Sequence, residues 1–210
     1  MKQYETQKVA KRHKKKIKSK NSIIDAYIKP IIFLIAMIMI LGISSIFIIK
    51  AKNRLLPEIN GHVKKYEDLI SLYAKQYDME EYIPLVMAVM MQESKGKGSD
   101  VMQCSACMYN KRYPDGITDP EYSIEVGILY LKHCLETAGC QDALDMDRIS
   151  LALQGYNYGS GFIKWAIEQD GGYTKENARQ FSEDMKNAHQ STVYGDPLYV
   201  QHVLQYYDVD

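Results

Sequence analysis

One segment of the chain, residues 31–49, runs for 19 residues without a charged side chain: IIFLIAMIMILGISSIFII. An α-helix of that length would be about 28 Å long at 1.5 Å per residue, close to the roughly 30 Å hydrocarbon core of a bilayer. Surface helices of soluble domains normally keep a polar face, which this segment lacks. We therefore expect a single transmembrane helix over residues 30–49.

The charges on either side of this segment differ in sign. Residues 1–29 contain ten basic and two acidic side chains, a net charge of +8, whereas residues 50–210 contain 16 basic and 24 acidic ones, a net charge of −8. Because Lys and Arg accumulate on the cytoplasmic side of a membrane, we expect a basic cytoplasmic tail over residues 1–29 and an extracytoplasmic C-terminal domain. This topogenic role explains the basic tail without nucleic acid, and no nucleic-acid partner is expected.

A cleaved signal peptide is the alternative interpretation of the same segment. Signal peptides have an apolar stretch of about 7–15 residues followed by a site of small residues. Here the apolar stretch is longer, and the sequence KAKNRLL that follows it offers no such site. We favour an uncleaved anchor and a single-pass protein of the cell membrane.

Four cysteines, Cys104, Cys107, Cys134 and Cys140, fall in the predicted extracytoplasmic part. Disulfides persist in that compartment. A zinc site is the competing hypothesis, but the second pair lacks the spacing of a zinc ribbon. We expect disulfides. The local pairings Cys104–Cys107 and Cys134–Cys140 are sterically plausible, and cross-pairings stay open.

The rest of the chain is predicted to be helical. After a juxtamembrane linker, residues 50–61, apolar residues recur every three or four positions over residues 62–77. Residues 94–120 form a polar loop, further helical segments follow it, and no alternating run calls for a sheet. The predicted fold class is all-α, with helices over residues 62–77, 80–92, 123–135, 148–156, 161–169, 175–190 and 197–207.

One carboxyl group is distinctive. Glu93 follows an almost wholly apolar helix, one turn after Val89. Burial and the negative end of the helix dipole both disfavour the charged carboxylate, so we expect its pKa to rise. A carboxyl that keeps its proton near neutral pH is suited to general-acid catalysis. A solvated last helical turn is the alternative interpretation.

Four blocks of sequence resemble a known family in order and spacing. They are MQESKGKGSDVMQCSA at residues 91–106, EYSIEVGILYL at 121–131, ISLALQGYNYGSGFIKWA at 149–166 and YGDPLYVQHVLQYY at 194–207. Together they resemble the lysozyme-like muramidase domain of Gram-positive conjugative elements, a relative of goose-type lysozymes and soluble lytic transglycosylases. The resemblance covers residues 66–207 and implies a lysozyme-like fold for residues 62–210.

The resemblance also implies roles for individual residues. Glu93, followed by Ser94, looks like the glutamate that protonates the glycosidic oxygen between N-acetylmuramic acid and N-acetylglucosamine. Ser94 and Gln103 are implied to bind substrate, with Gln103 holding a sugar acetamido group. Tyr156 is implied to contact the scissile sugar, and Asn157 to brace its loop. In the second block, a glycine is implied to allow close helix packing.

The resemblance leaves the reaction open. Retaining and inverting glycosidases both use a second carboxylate, for which the candidates are Asp100, Asp115 and Asp119. The PDG and TDP sequences make the last two more typical of turn residues, and Asp100 is kept as a substrate-binding candidate. A site with one glutamate could instead use the muramyl 6-hydroxyl as nucleophile and release a 1,6-anhydro product, which is lytic transglycosylase chemistry.

The expected function is a membrane-anchored peptidoglycan hydrolase, a muramidase that opens the wall locally for a conjugative or type IV secretion channel. The expected partners are peptidoglycan glycan strands, the membrane and proteins of such a channel. A non-catalytic lysozyme-like scaffold is the alternative from another class. No metal or cofactor is expected, because the five histidines are scattered and no glycine-rich phosphate loop is present.

Overall fold

The computed structural model describes residues 29–53 and 57–207, without the side chains of residues 29 and 46–53. Its contacts divide the chain into two compact units, Met1–Leu56 and Pro57–Asp210. The expectations for the basic tail, residues 1–28, and for part of the linker, residues 54–56, lie outside the described residues.

The first unit contains helix α1, Lys29–Asn53. Its described large apolar side chains are mostly exposed, and the hydroxyls of Ser44 and Ser45 donate to carbonyls one turn earlier, at 2.8 and 2.9 Å. Over the part of the chain that the structure describes, no helix combines the length and the apolar character needed to cross a membrane.

The second unit is built from helices, and residues 57–207 contain no β-strand. The helices are α2 Gly61–Lys64, α3 Glu67–Gln76, a 3-10 turn Glu80–Tyr82, α4 Ile83–Glu93, α5 Pro120–Ala138, α6 Met146–Tyr158, α7 Gly161–Asp170, α8 Lys175–His189 and α9 Tyr199–Leu204. The predicted helical fold is confirmed.

Local sequence signals begin and end the longer helices. Asp119 caps α5, because its carboxylate accepts from the backbone N–H of Glu121 at 3.1 Å, and Pro120 takes the first helical position. Thr174 and Asn177 form a capping box at the start of α8. At the end of α5, Gly139 adopts φ +73°, a left-handed conformation that glycine adopts without strain.

The first predicted helix is wrong in one respect. The chain breaks the expected helix over residues 62–77 into α2 and α3, and Tyr66 between them donates its N–H to Val63 O at 2.9 Å, in a tighter turn. The apolar stripe itself is correct, since Val63, Ile70 and Ala74 are fully buried. Periodicity therefore identified the buried face but not the break in the backbone.

The core lies around α4, α5 and α6. Helix α4 is buried from Leu85 to Met91, as its unbroken apolar sequence predicts. It contacts α2, α3 and α9, while α5 packs along α6 and α3. Burial of one such Leu, Val or Met side chain stabilises the fold by about 1.5–3 kcal/mol. The last residue of α4, Glu93, is therefore held by a rigid, apolar helix.

Gly127 lets α5 approach the loop that follows α4. A Cβ atom at this position would lie 2.5 Å from Cβ of Met102, which is fully buried. The implied close-packing role of the glycine in the second block is thus seen in the structure. Gly155 makes a similar approach on α6, where a Cβ would lie 2.4 Å from Cγ1 of Ile163.

Gly127→Ala is expected to destabilise the protein by about 1–3 kcal/mol, because the added methyl group overpacks the contact with Met102. Gly161→Ala is the matched control, since a Cβ there meets no atom within 4 Å. Urea unfolding of the full chain measures both. An equal midpoint for Gly127→Ala and wild type would show that Met102 moves away without cost.

Candidate functional site

Glu93 is the last residue of α4 and the first carboxyl group beyond its buried segment. It remains partly exposed, so that its carboxyl group reaches both the core and the surface. The chain turns sharply after it, with Lys95 at φ +57° and Gly96 at φ +72°. A Cβ on Gly96 would lie 2.6 Å from the His62 carbonyl, so the turn packs tightly against α2.

The surroundings of Glu93 favour the protonated carboxyl. The pKa of Glu93 is raised from 4.5 to about 7: burial is the largest cause, and the negative charges of Asp100 and Asp196 act in the same direction. A hydrogen bond from Tyr199 acts in the opposite direction. The net result is a carboxyl group that holds its proton up to about neutral pH, as its position in the sequence predicted.

Tyr199 is the partner of Glu93, and sequence reasoning gave it no role. It is the first residue of α9, it is 1% exposed, and its hydroxyl donates to Oε1 of Glu93 across 106 residues of sequence. The bond leaves Oε2 of the carboxyl available to another group. Within an apolar helix a tyrosine is ordinarily a packing residue, and only its place in the fourth block could have drawn attention to it.

Asp100 organises the loop between α4 and α5, residues 94–119, here called the site loop. Its carboxylate accepts four hydrogen bonds: from the N–H groups of Cys104 and Ser105 at 3.0 and 2.8 Å, and from the hydroxyls of Ser105 and Ser123 at 2.6 and 2.7 Å. Ser123 also accepts from Met102 N–H at 3.0 Å. Asp100 therefore ties the loop to the start of α5.

Ser94 and Gln103, two predicted substrate-binding residues, also bond within the site loop. The Ser94 hydroxyl donates to Val101 O at 2.7 Å and accepts from Gly96 N–H at 3.0 Å. The exposed Gln103 adopts φ +52°, and its amide donates to the Asp100 carbonyl at 2.8 Å. Ser94 thus closes the loop, whereas Gln103 lies at its surface.

Tyr156 and Asn157, at the end of α6, support two different segments. Tyr156 is 7% exposed and donates its hydroxyl to Met102 O at 2.9 Å, behind the site loop. Asn157 accepts from Asp196 N–H at 2.7 Å and so braces the segment that leads into α9. The segment that Asn157 braces lies before Tyr199, and its expected role in bracing its own loop stays a prediction.

Asp196 is a second residue that sequence reasoning missed. Its Oδ2 lies 2.6 Å from Nδ1 of His202, and its Oδ1 accepts from Leu198 N–H at 2.9 Å. Its carbonyl accepts from the buried Gln154 amide at 2.9 Å. These bonds fix the turn before α9, and with it the Tyr199 hydroxyl at Glu93.

The other acidic candidates for a second carboxylate have different positions. Asp119 caps α5 through its carboxylate. Asp115 is exposed in the Tyr113–Gly116 turn, which is closed by a 3.2 Å backbone bond. Both are turn or cap residues, as the PDG and TDP sequences indicated.

The expected disulfides are not present, and all four cysteines are free thiols. Sγ of Cys104 lies 3.0 Å from the Tyr156 hydroxyl, and Sγ of Cys140 lies 3.6 Å from the Tyr82 hydroxyl. Cys134 is fully buried within α5. Cys140 follows the left-handed turn at Gly139 and faces Tyr82.

Within residues 29–53 and 57–207, no three His, Cys, Asp or Glu side chains lie close enough together to bind a metal ion. What the arrangement provides is a proton donor, Glu93, held by Tyr199. A helical domain with such a carboxyl at the end of its central helix agrees with the lysozyme-like class that the sequence blocks resemble.

Comparison with known sequences agrees. The sequence profile described as lysozyme-like matches residues 60–206, and the chain belongs to this family. A Bacillus subtilis (strain 168) protein, the bifunctional muramidase/DL-endopeptidase CwlT, is 39% identical over 148 residues, 70% of this chain and 42% of CwlT. The chain thus spans less than half of that relative.

Two further relatives extend the comparison. The uncharacterized membrane protein YocA of Bacillus subtilis (strain 168) is 34% identical over 154 residues, which cover 67% of this chain and 66% of YocA. A crystal structure from Staphylococcus aureus, of a protein similar to a lipoprotein of the NLP/P60 family, superposes with a TM-score of 0.61 at 29% identity. It covers 72% of this chain and 54% of that one.

Glu93→Gln is expected to stabilise the fold, and more so at pH 8 than at pH 5. Folded Glu93 titrates at about 7, so the folded state loses stability relative to the unfolded state as the pH rises from the unfolded pKa through 7. A glutamine at this position does not ionise, so the variant does not lose this stability. The difference between variant and wild type should grow by roughly 2–3 kcal/mol between the two pH values, measured by urea unfolding of the full chain.

Glu58→Gln provides the matched control, because Glu58 is exposed and lies outside any helix. This variant should unfold at about the wild-type urea midpoint. A Glu93→Gln difference that does not change with pH would show that the Glu93 carboxyl ionises in the folded protein as it does in water.

Proposed function

We propose that this protein is a peptidoglycan glycosidase, a muramidase that cleaves the β-1,4 bond between N-acetylmuramic acid and N-acetylglucosamine. The observation that carries the proposal is the Glu93 carboxyl, which keeps its proton to about pH 7 while remaining partly exposed. Membership of the lysozyme-like family and the likeness to CwlT, whose name includes muramidase, support the same substrate.

In the proposed reaction Glu93 donates its proton to the glycosidic oxygen as the bond to C1 breaks. The leaving sugar then departs as an alcohol, and Glu93 is left as a carboxylate. Tyr199 keeps one carboxyl oxygen in place through its hydroxyl and stabilises the carboxylate that forms, because a hydrogen bond to the charged form favours it. The other oxygen faces the substrate.

The second half of the reaction separates two mechanisms. In hydrolysis, a water molecule attacks C1 with the help of a second carboxylate. In transglycosylation, the muramyl 6-hydroxyl attacks C1 and passes its proton to the Glu93 carboxylate, giving a 1,6-anhydro ring. The four hydrogen bonds that Asp100 already accepts favour the second possibility, whereas the name of CwlT favours the first.

Purified peptidoglycan incubated with the full chain should release muropeptides, and Glu93→Gln should lower the rate by about 10²–10⁴-fold, the contribution typical of a general acid. Mass spectrometry of the products reads the chemistry. Reducing muramic acid ends indicate hydrolysis, and anhydro ends indicate transglycosylation.

The same digestion includes two controls. Glu58→Gln should release muropeptides at the wild-type rate, and a known lysozyme shows that the wall preparation is degradable. If neither wild type nor Glu93→Gln releases product from such walls, the glycosidase proposal is wrong and the non-catalytic scaffold takes its place.

We also propose that residues 30–49 anchor the protein in the cell membrane, with the N-terminus in the cytoplasm and the second unit outside, where it opens the wall for a conjugative or type IV secretion channel. The uncharged 19-residue segment and the +8 charge before it support the anchor and its direction. The resemblance to domains of conjugative elements supports the channel role.

The full chain and a variant lacking residues 1–49 test this localisation. The full chain should sediment with membranes and resist alkaline extraction, its second unit should be cut by external protease in protoplasts, and cross-linking should recover channel proteins with it. The deletion variant should lose membrane sedimentation. Alkaline release of the full chain would contradict the membrane anchor, and protease resistance in protoplasts would contradict its direction.

Cross-linking that recovers no channel proteins would contradict the channel role alone.

A further inference from the structure

The Cys-x-x-Cys sequence in the site loop forms a tight turn. Cys107 N–H donates to Cys104 O at 3.0 Å, and a turn closed by this bond holds its first and last Cα atoms within about 7 Å. A disulfide needs a Cα separation of about 4.4–6.8 Å. The backbone of this turn is thus compatible with both the dithiol and the disulfide.

The two thiols differ in exposure and reactivity. Cys104 is 1% exposed and faces the Tyr156 hydroxyl, while Cys107 is half-buried and accessible. A hydrogen bond from the Cys104 thiol, helped by the N–H groups of Tyr109 and Asn110, lowers the pKa of Cys107 to about 7, although burial opposes this. The pKa of Cys104 is raised well above its usual value.

Cys134 and Cys140 lack these features. Burial raises the pKa of both thiols, and neither belongs to a turn that brings a second sulfur to it. Among these four thiols, Cys107 is therefore the one expected to react first. Cys104 is the second sulfur, positioned to form a disulfide with it.

We propose that Cys104 and Cys107 form a thiol–disulfide exchange site in which the accessible Cys107 reacts with the disulfide of another protein or of a small thiol compound. The Cys107 thiolate attacks one sulfur of that disulfide and releases the other as a thiolate. The Cys104 thiol then loses its proton, attacks Sγ of Cys107 and expels the second thiolate. Two cysteines are oxidised and one external disulfide is reduced to two thiols.

The exchange site is coupled to the proposed catalytic site through Tyr156. The hydroxyl of Tyr156 contacts Sγ of Cys104 and donates to Met102 O, so the oxidised pair fixes the part of the site loop against which Tyr156 packs. This chemistry is independent of the glycosidase proposal, because it needs neither Glu93 nor a glycan.

The test equilibrates the reduced full chain in buffers of increasing ratio of oxidised to reduced glutathione. Each sample is quenched with acid, alkylated, digested and analysed by mass spectrometry. We expect a Cys104–Cys107 disulfide that forms and disappears reversibly with the ratio, while Cys134 and Cys140 stay alkylated. Failure to form this disulfide at any ratio, or a disulfide of different pairing, would overturn the proposal.

Single variants assign the roles. Cys104→Ser should trap glutathione on Cys107, because the second sulfur is then missing. In wild type, alkylation of Cys107 should be half-maximal near pH 7 instead of near 8.5, the value for a free cysteine. Cys107→Ser should leave Cys104 unmodified in the folded protein, because that sulfur is buried. Cys140→Ser is the matched control and should exchange like wild type. Glutathione on Cys104 in Cys107→Ser, at the rate seen for Cys107, would refute the assignment, and circular dichroism checks that each variant is folded.

Discussion

The site depends on a carboxyl group placed where water cannot fully solvate it. Helix α4 carries apolar side chains on every face, and it is therefore buried in the core. Its last residue lies where the core reaches the protein surface. Because the charged carboxylate is poorly solvated there, the pKa of Glu93 is raised to about 7 and the group keeps its proton up to that pH. Every other part of the site either encloses this carboxyl group or holds the segments that do so.

Two loops without regular structure surround Glu93, and each is held by one aspartate. Asp100 gathers the site loop onto the start of α5 through serine hydroxyls and backbone N–H groups. Asp196 fixes the turn before α9, with Asn157 and Gln154 on its backbone and His202 on its carboxylate. In both cases a carboxylate replaces the ladder of bonds that a helix or strand would supply, because irregular backbone inside a fold must still satisfy its polar groups.

Sequence reasoning predicted the helical fold from local signals, and it singled out Glu93 from its position after an apolar helix together with the family resemblance of the surrounding blocks. An apolar run without a polar face must be buried, and the first carboxyl after it must lie at the boundary of the core. The break between α2 and α3 was not predictable in this way, since the apolar stripe continues through it. Tyr199 was missed for a different reason: its hydroxyl meets Glu93 only after the chain has crossed 106 residues, and its own neighbours are those of an ordinary core residue.

The two aspartates also shape the chemistry that Glu93 can perform. Their charges add to the effect of burial and strengthen the hold of Glu93 on its proton. Both carboxylates are nevertheless occupied, Asp100 by four donors and Asp196 by His202 and a backbone N–H. For either to activate a water molecule, it would have to give up bonds that hold a loop in place, at a cost of about 1–3 kcal/mol for each buried group left unpaired. Within the proposed glycosidase activity, these bonds support the transglycosylation alternative, in which Glu93 serves first as the acid and then, as a carboxylate, as the base.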